Sequence, residues 1–213
     1  MLTEYFGELL SAAASTVAGY LPAWLAGSFI GVGLAALSWL AKPQMSAALY
    51  YVITAIAFVP VTVLIPASLR LFGLNFFVYP LLALPVALGT FASCHEAFGQ
   101  CNVHRSTLHI NYGLHKWGYF FKVILPESMP ALLTAARQTI ALVFAIFIAL
   151  DYFIEYWGGL GALSQHYYSR TSFDPNNWRL MWGAVFSAAL MGGAQVLILH
   201  VAFRPFVQFR KHY

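Results

Sequence analysis

The sequence predicts an all-α polytopic membrane protein, with about five transmembrane helices and an N-terminal helix lying in the lipid interface. Three observations carry that prediction. Of 213 residues, 61% are hydrophobic and only 8% are charged, against roughly 25% charged in an ordinary soluble domain. So few charges cannot cover a water-facing surface of this size, and lipid must solvate most of the chain. Five segments reach the roughly 20 mostly apolar residues that a spanning helix needs: about 17–40, 47–69, 71–93, 130–153 and 180–203. Lysine and arginine, finally, fall unevenly between the loops that join them.

Taken in order, residues 2–12 make a short amphipathic piece. Glu4 and Glu8 share one face, while Leu2, Phe6, Leu9 and Leu10 lie largely on the other, the pattern of an interfacial helix. The start has no positive n-region, so it does not read as a cleavable signal peptide. The second and third spans are joined by a short connection near Arg70. Two long polar interruptions remain, 94–129 and 154–179. With no internal repeat, residues 1–213 read as a single transmembrane domain.

With five spans, the loop at Lys42, the loop 94–129 and the C-terminus share one side. That side holds Lys42, Arg105, Lys116, Lys122, Arg204, Arg210 and Lys211; the other holds Arg70, Arg170 and Arg179 with most of the acids. The positive-inside rule then puts the N-terminus outside and loop 94–129 and the C-terminus in the cytoplasm.

Within that loop, the stretch 111–130, NYGLHKWGYFFKVILPESMP, is basic and aromatic. As a helix after Gly113, it places Leu114, Trp117, Phe121 and Ile124 on one stripe. Such a helix either lies in the headgroup layer or fills a groove on a cytoplasmic partner. Periodicity alone does not separate the two.

Gly113, followed after nine residues by Val123-Ile124-Leu125-Pro126, resembles the signature loop of binding-protein-dependent ABC transporter permeases. That pattern runs Glu-Ala-Ala, three residues, Gly, nine residues, Ile or Val, one residue, Leu-Pro. Here the Glu-Ala-Ala positions hold Thr107, Leu108 and His109, so that part of the motif is absent. Glu96-Ala97 stands at the wrong distance to replace it. FVPVTVLIPASLRLFG (58–73) resembles the Pro…Pro…Phe-Gly segment of the nitrate/sulfonate/taurine branch. LPESMPALLTAARQTIAL (125–142) is similar to the family's Leu-Pro-x-x-x-Pro and following helix, and DYFIEYWGGLGAL (151–163) to its acidic residue before Gly-Leu-Gly.

The resemblance implies a type I ABC importer permease fold in a bacterial inner membrane. It implies an ATPase-coupling loop comprising Thr107, Leu108, His109, Asn111, Tyr112, Gly113, Leu114, Leu125 and Pro126. Partners would be two cytoplasmic ABC ATPase subunits, a second permease subunit, an extracytoplasmic solute-binding protein and the bilayer, with no nucleic acid. This chain would hold no cofactor; ATP and Mg would bind the ATPases. The cargo implied is a small anion such as nitrate, bicarbonate, a sulfonate or taurine. The missing Glu-Ala-Ala keeps open a permease-fold scaffold that has lost ATP coupling.

Arg137, inside the fourth span, and Asp151, near its outer end, are candidates for the translocation path, since ionisable groups in a membrane are functional candidates by default. Snorkelling to the interface is the structural alternative. CHEAFGQC (94–101), with His104 and His109, invites a metal reading. It is not His-Glu-x-x-His, however, and Cys-x6-Cys is not a common zinc spacing. Only His200 is expected within a span, which excludes facing histidines for a haem. No Ser/His/Asp set or paired carboxylates meet, so no catalytic residue is expected.

Overall fold

A computed structural model describes residues 2–57, 59–105, 115–155, 157–171, 174 and 176–208. Among these the regular structure is helical throughout. In order come α1 (Leu2–Leu40), α2 (Pro43–Ala57), α3 (Val61–Phe76), α4 (Val78–Arg105) and α5 (Lys116–Tyr119). A π-helical turn, Phe120–Ile124, then leads into α6 (Leu125–Ile154), followed by α7 (Leu160–Ser169) and α8 (Asn177–Gln208). Four stretches are long and apolar enough to cross a membrane, or five if the bent pair α2–α3 counts as one crossing. The chain is a multi-pass membrane protein.

The N-terminal segment is not a separate interfacial helix. It runs unbroken into the first span, because residues 11–16 are Ser-Ala-Ala-Ala-Ser-Thr and alanine is the strongest helix former. At 1.5 Å per residue α1 is about 58 Å long, well beyond a hydrocarbon core of roughly 30 Å. The second crossing is less regular than expected: α2 and α3 meet at 91°. α3 itself breaks at Gly73, whose φ of 68° favours glycine.

α1 and α4 run parallel and touch backbone to backbone. A Cβ on Gly27 would lie 2.5 Å from the Ala83 carbonyl, and one on Gly31 would lie 2.6 Å from that of Ala87. This Gly-x-x-x-Gly seam is the small-residue packing that lets membrane helices approach closely. α6 returns antiparallel, Gly89 meeting Thr139 and Phe98 meeting Phe120. α8 runs back along α6, with Phe144 against Gly192. The N-terminus of α1, α7 and the start of α8 therefore share one end of the bundle. The ends of α1 and α4, the α5 segment and the end of α8 share the other.

Two buried clusters fill the interior. One gathers Tyr20, Val78, Leu82, Val86, Val143 and Phe147 of α1, α4 and α6. The second, nearer the α5 end, gathers Ala35, Phe91, Cys94, Phe98, Tyr119, Phe120 and Ile124.

The polar interruption expected at 94–129 is much shorter than its sequence suggests. α4 continues to Arg105, and helical structure resumes at Lys116. His95, expected in a loop, therefore lies within the α4 crossing, so His200 is not alone in a span. The expected stripe also divides: Trp117 and Phe121 are exposed, whereas Tyr119, Phe120 and Ile124 are buried. Pro126 and Pro130 do not separate a surface helix from a span, since the helix passes through both.

Candidate functional site

The first candidate site is built where α5 and the π-helical turn meet the end of α1. Trp39 packs on Phe120 and Tyr119, with ring centroids 5.4 and 6.2 Å apart, and Phe120 meets Phe98 of α4 at 5.2 Å. Lys116 Nζ donates to the Leu40 carbonyl at 2.5 Å. On the outer face, Trp117 and Phe121 stack at 6.1 Å, both exposed beside the exposed Lys122. The turn has a cause in Pro126. In an α-helix its ring would collide with the carbonyl four residues back, at Lys122. Here the Leu125 amide bonds five residues back to Phe120, widening the turn at that point.

Of the coupling residues expected from sequence, Leu125 and Pro126 open α6, half-buried and exposed respectively. Thr107, Leu108, His109, Asn111, Tyr112, Gly113 and Leu114 lie outside the described residues.

Arg137 and Asp151 are not brought together. They stand fourteen residues apart on α6, about 21 Å along its axis. Arg137 donates from Nη2 to His200 Nδ1 on α8, so this histidine presents Nδ1 as an acceptor; the Arg137 Nε is buried without a partner.

Asp151 is fully buried. α6 closes on Glu155 in the left-handed region, the chain doubles back through Gly158 (φ 62°), and α7 starts against the Asp151 carboxylate. The Ala162 amide donates to Oδ2 at 2.9 Å, and the amides of Gly159, Trp157 and Gly161 stand around it. Thr16 of α1 completes the joint: its Oγ1 accepts from Leu160 N–H at 2.9 Å. First-turn amides of a helix have no partner within it, and the N-cap position, Gly159, offers no side chain. Asp151 and Thr16 supply the acceptors from other helices. The Gly-Leu-Gly spacing follows, because a Cβ on Gly159 would meet both acceptors, and one on Gly161 would lie 2.4 Å from the Ile148 carbonyl.

The same end is tied again at the surface. Tyr5 O–H donates to the Leu180 carbonyl at 2.6 Å, its ring lies edge-on to Tyr167 at 5.7 Å, and Tyr167 O–H donates to Glu8 Oε2 at 2.6 Å. Burial, then the Glu8 carboxylate that accepts its hydrogen bond, pushes the Tyr167 phenol above its ordinary value. A groove of about 400 Å³ between α6, α7 and α8 is lined by Ala145, Ala149, Gly161, Ala184 and other largely apolar residues. Neither Arg137 nor Asp151 lines it.

Among the described residues no three metal-ligating side chains converge. The side chains of Cys101, His104 and His109 lie outside that description. His95 instead packs against both Tyr50 and Phe91, at 5.0 and 5.5 Å, in a three-ring cluster, with Nδ1 3.1 Å from Ser38 Oγ. Sequence reasoning missed Thr16, Lys116 and the Arg137–His200 pairing, whose partners are 144, 76 and 63 positions distant. The Gly27–Gly31 spacing could have shown the α1–α4 seam.

No family model matches the chain, and no curated protein does. Solved structures do. A chain of the MetNI methionine ABC transporter, in an inward-facing crystal form, superposes with a TM-score of 0.74 at 16% identity, covering 95% of this chain and 96% of that one. A second crystal form of the same transporter gives 0.71 at 17% identity, covering 91% and 95%. The fold is that of a type I ABC importer permease. These likenesses lend no support to the nitrate/sulfonate/taurine branch.

Proposed function

We propose that this chain is the membrane-spanning permease subunit of an ABC importer. The observation that carries the reading is the end-to-end likeness of fold, which covers nearly the whole of both chains. The Gly113…Leu125-Pro126 frame agrees with it, because Leu125-Pro126 opens α6 directly after the α5 segment and the π-helical turn. Two copies, or this chain and a related one, form the path. α8 suits that pairing: only 6% of its crossing stretch is buried, and Phe186, Leu190, Leu197 and Val201 are exposed along it.

In this reading cytoplasmic ATPases bind ATP and Mg, close, and push on the loop around Gly113. α6 carries the push into the bundle, and the crossings rock between inward and outward access while a solute-binding protein delivers cargo outside. The loop end is cytoplasmic and the α7 end external, by the distribution of lysine and arginine. No bond chemistry falls to this chain. For the cargo we infer a small anion such as nitrate, bicarbonate, a sulfonate or taurine, from the 58–73 proline segment and from Arg137 as the path cation. Competition between these anions and methionine for the purified complex decides the class, and exclusive binding of methionine overturns it.

The main test is purification of the complex and measurement of solute-stimulated ATP hydrolysis in wild type and in Gly113→Asp. Stimulated hydrolysis that the substitution abolishes supports the reading; hydrolysis and transport untouched by it overturn the docking role. A second reading, a permease-fold scaffold without ATP coupling, is favoured by Thr107-Leu108-His109 at the Glu-Ala-Ala positions. It predicts that no ATPase co-purifies.

A further inference from the structure

α1 ends at Leu40 with no basic residue in its own last turn. The carbonyl end of a helix concentrates partial negative charge and lone pairs that the helix cannot satisfy. Lys116, 76 positions later, supplies that charge: Nζ donates to Leu40 O at 2.5 Å and lies 5.8 Å from the centroid of the Trp39 ring. Beneath it, Trp39 packs on Tyr119 and Phe120. A lysine serving only the interface would extend its stem toward lipid phosphate. This one folds back onto a backbone carbonyl, fixing a side chain with much rotamer freedom to lose.

The position of the brace matters more than its strength. Lys116 stands on the loop side of the π-helical turn, and α6 begins on the other side. A π-turn is a wide, irregular step in the helical ladder, and such steps occur often at functional sites. A push arriving from the loop must cross that step to reach α6. Through Lys116 it also reaches α1 directly, without crossing the step. α1 in turn is seamed to α4 at Gly27 and Gly31, where backbones touch, so the two helices move as one body.

We propose that Lys116 is a positioning residue of ATP coupling, which ties the segment leaving the ATPase-facing loop to the end of α1. This rests on the reading of the chain as an importer permease. With the brace, one push displaces α1, α4 and α6 together; without it, the π-turn flexes and α1 and α4 lag behind. Hydrolysis then continues while transport per ATP falls.

The test uses the whole complex, with its ATPase subunits, in proteoliposomes. ATP hydrolysis and solute uptake are measured side by side in wild type, Lys116→Met and Lys116→Arg. Lys116→Met is expected to hydrolyse ATP near the wild-type rate while solute moved per ATP falls about ten-fold, the scale of one lost charge-assisted hydrogen bond. Lys116→Arg, which keeps a charged donor, restores most of the ratio. An unchanged ratio in Lys116→Met overturns the proposal. So does an equal fall in hydrolysis and uptake with a lowered melting temperature, the mark of a merely structural lysine, or an arginine variant as uncoupled as the methionine one. Absence of nucleotide-dependent uptake in wild type is a separate result, which removes the importer reading and this inference with it.

Discussion

The two ends of α1 are held in opposite ways. At its N-terminal end, Thr16 and Asp151, both fully buried, hold the start of α7. At its C-terminal end, one exposed lysine and a set of aromatic rings hold the α5 segment. A hydrogen bond in a low-dielectric interior has strict geometry, and breaking it strands groups that water cannot reach. Ring contacts and a long lysine stem tolerate small displacements and re-form. The α7 end is therefore a fixed joint and the α5 end an adjustable one.

The largest effect is expected at the joint. Asp151→Ala strands the α7 amides and should lower stability by about 3 kcal/mol, measured by thermal unfolding in detergent; Asp151→Asn, which keeps one acceptor, should lose about half as much. Stability equal to wild type in the alanine variant would end the distinction between the two ends. Next come two glycines. Gly161→Val forces a side chain against the Ile148 carbonyl and Tyr152 amide, costing about 2 kcal/mol. Gly118→Ala meets nothing within 4 Å and should be neutral or add up to ~1 kcal/mol by helix propensity.

Lys116→Met should lower stability by less than ~1 kcal/mol, the scale of an exposed charge at a helix terminus. A large loss of melting temperature there would make both ends structural. The smallest effect is at high pH. The Tyr167 phenol is raised in the folded chain, so the folded state keeps a proton that the unfolded chain releases near 10. Its contribution is complete below that value and declines as pH rises beyond it. Tyr167→Phe should flatten the alkaline limb of melting temperature against pH.

Much of the fold was legible because lipid imposes a simple rule: long apolar runs become crossings. All five expected spans have helical counterparts, and counting five spans puts the ends of α4 and α8 on one side, which the helix directions reproduce. Boundaries fared worse. Local polarity at 94–105 looked like loop, but packing of Phe98 on Phe120 keeps this stretch helical. The expected stripe kept its exposed face at Trp117 and Phe121, and Ile124, at the end of the π-turn, left it for the buried side.

The candidate sites divide along the same line. Arg137 and Asp151 were identifiable as rare ionisable groups in apolar helices, yet nothing along the chain distinguishes a cation shared with His200 from a carboxylate that caps α7. By itself, the sequence determined that lipid is the solvent, roughly where the chain crosses it, and the Gly113…Leu125-Pro126 frame, because composition, run length and spacing are properties of the chain. Only the tertiary structure decided what each polar group does. A partner 63, 76 or 144 positions away is set by how helices pack, and hydrogen bonds act over about 3 Å whatever the separation in sequence.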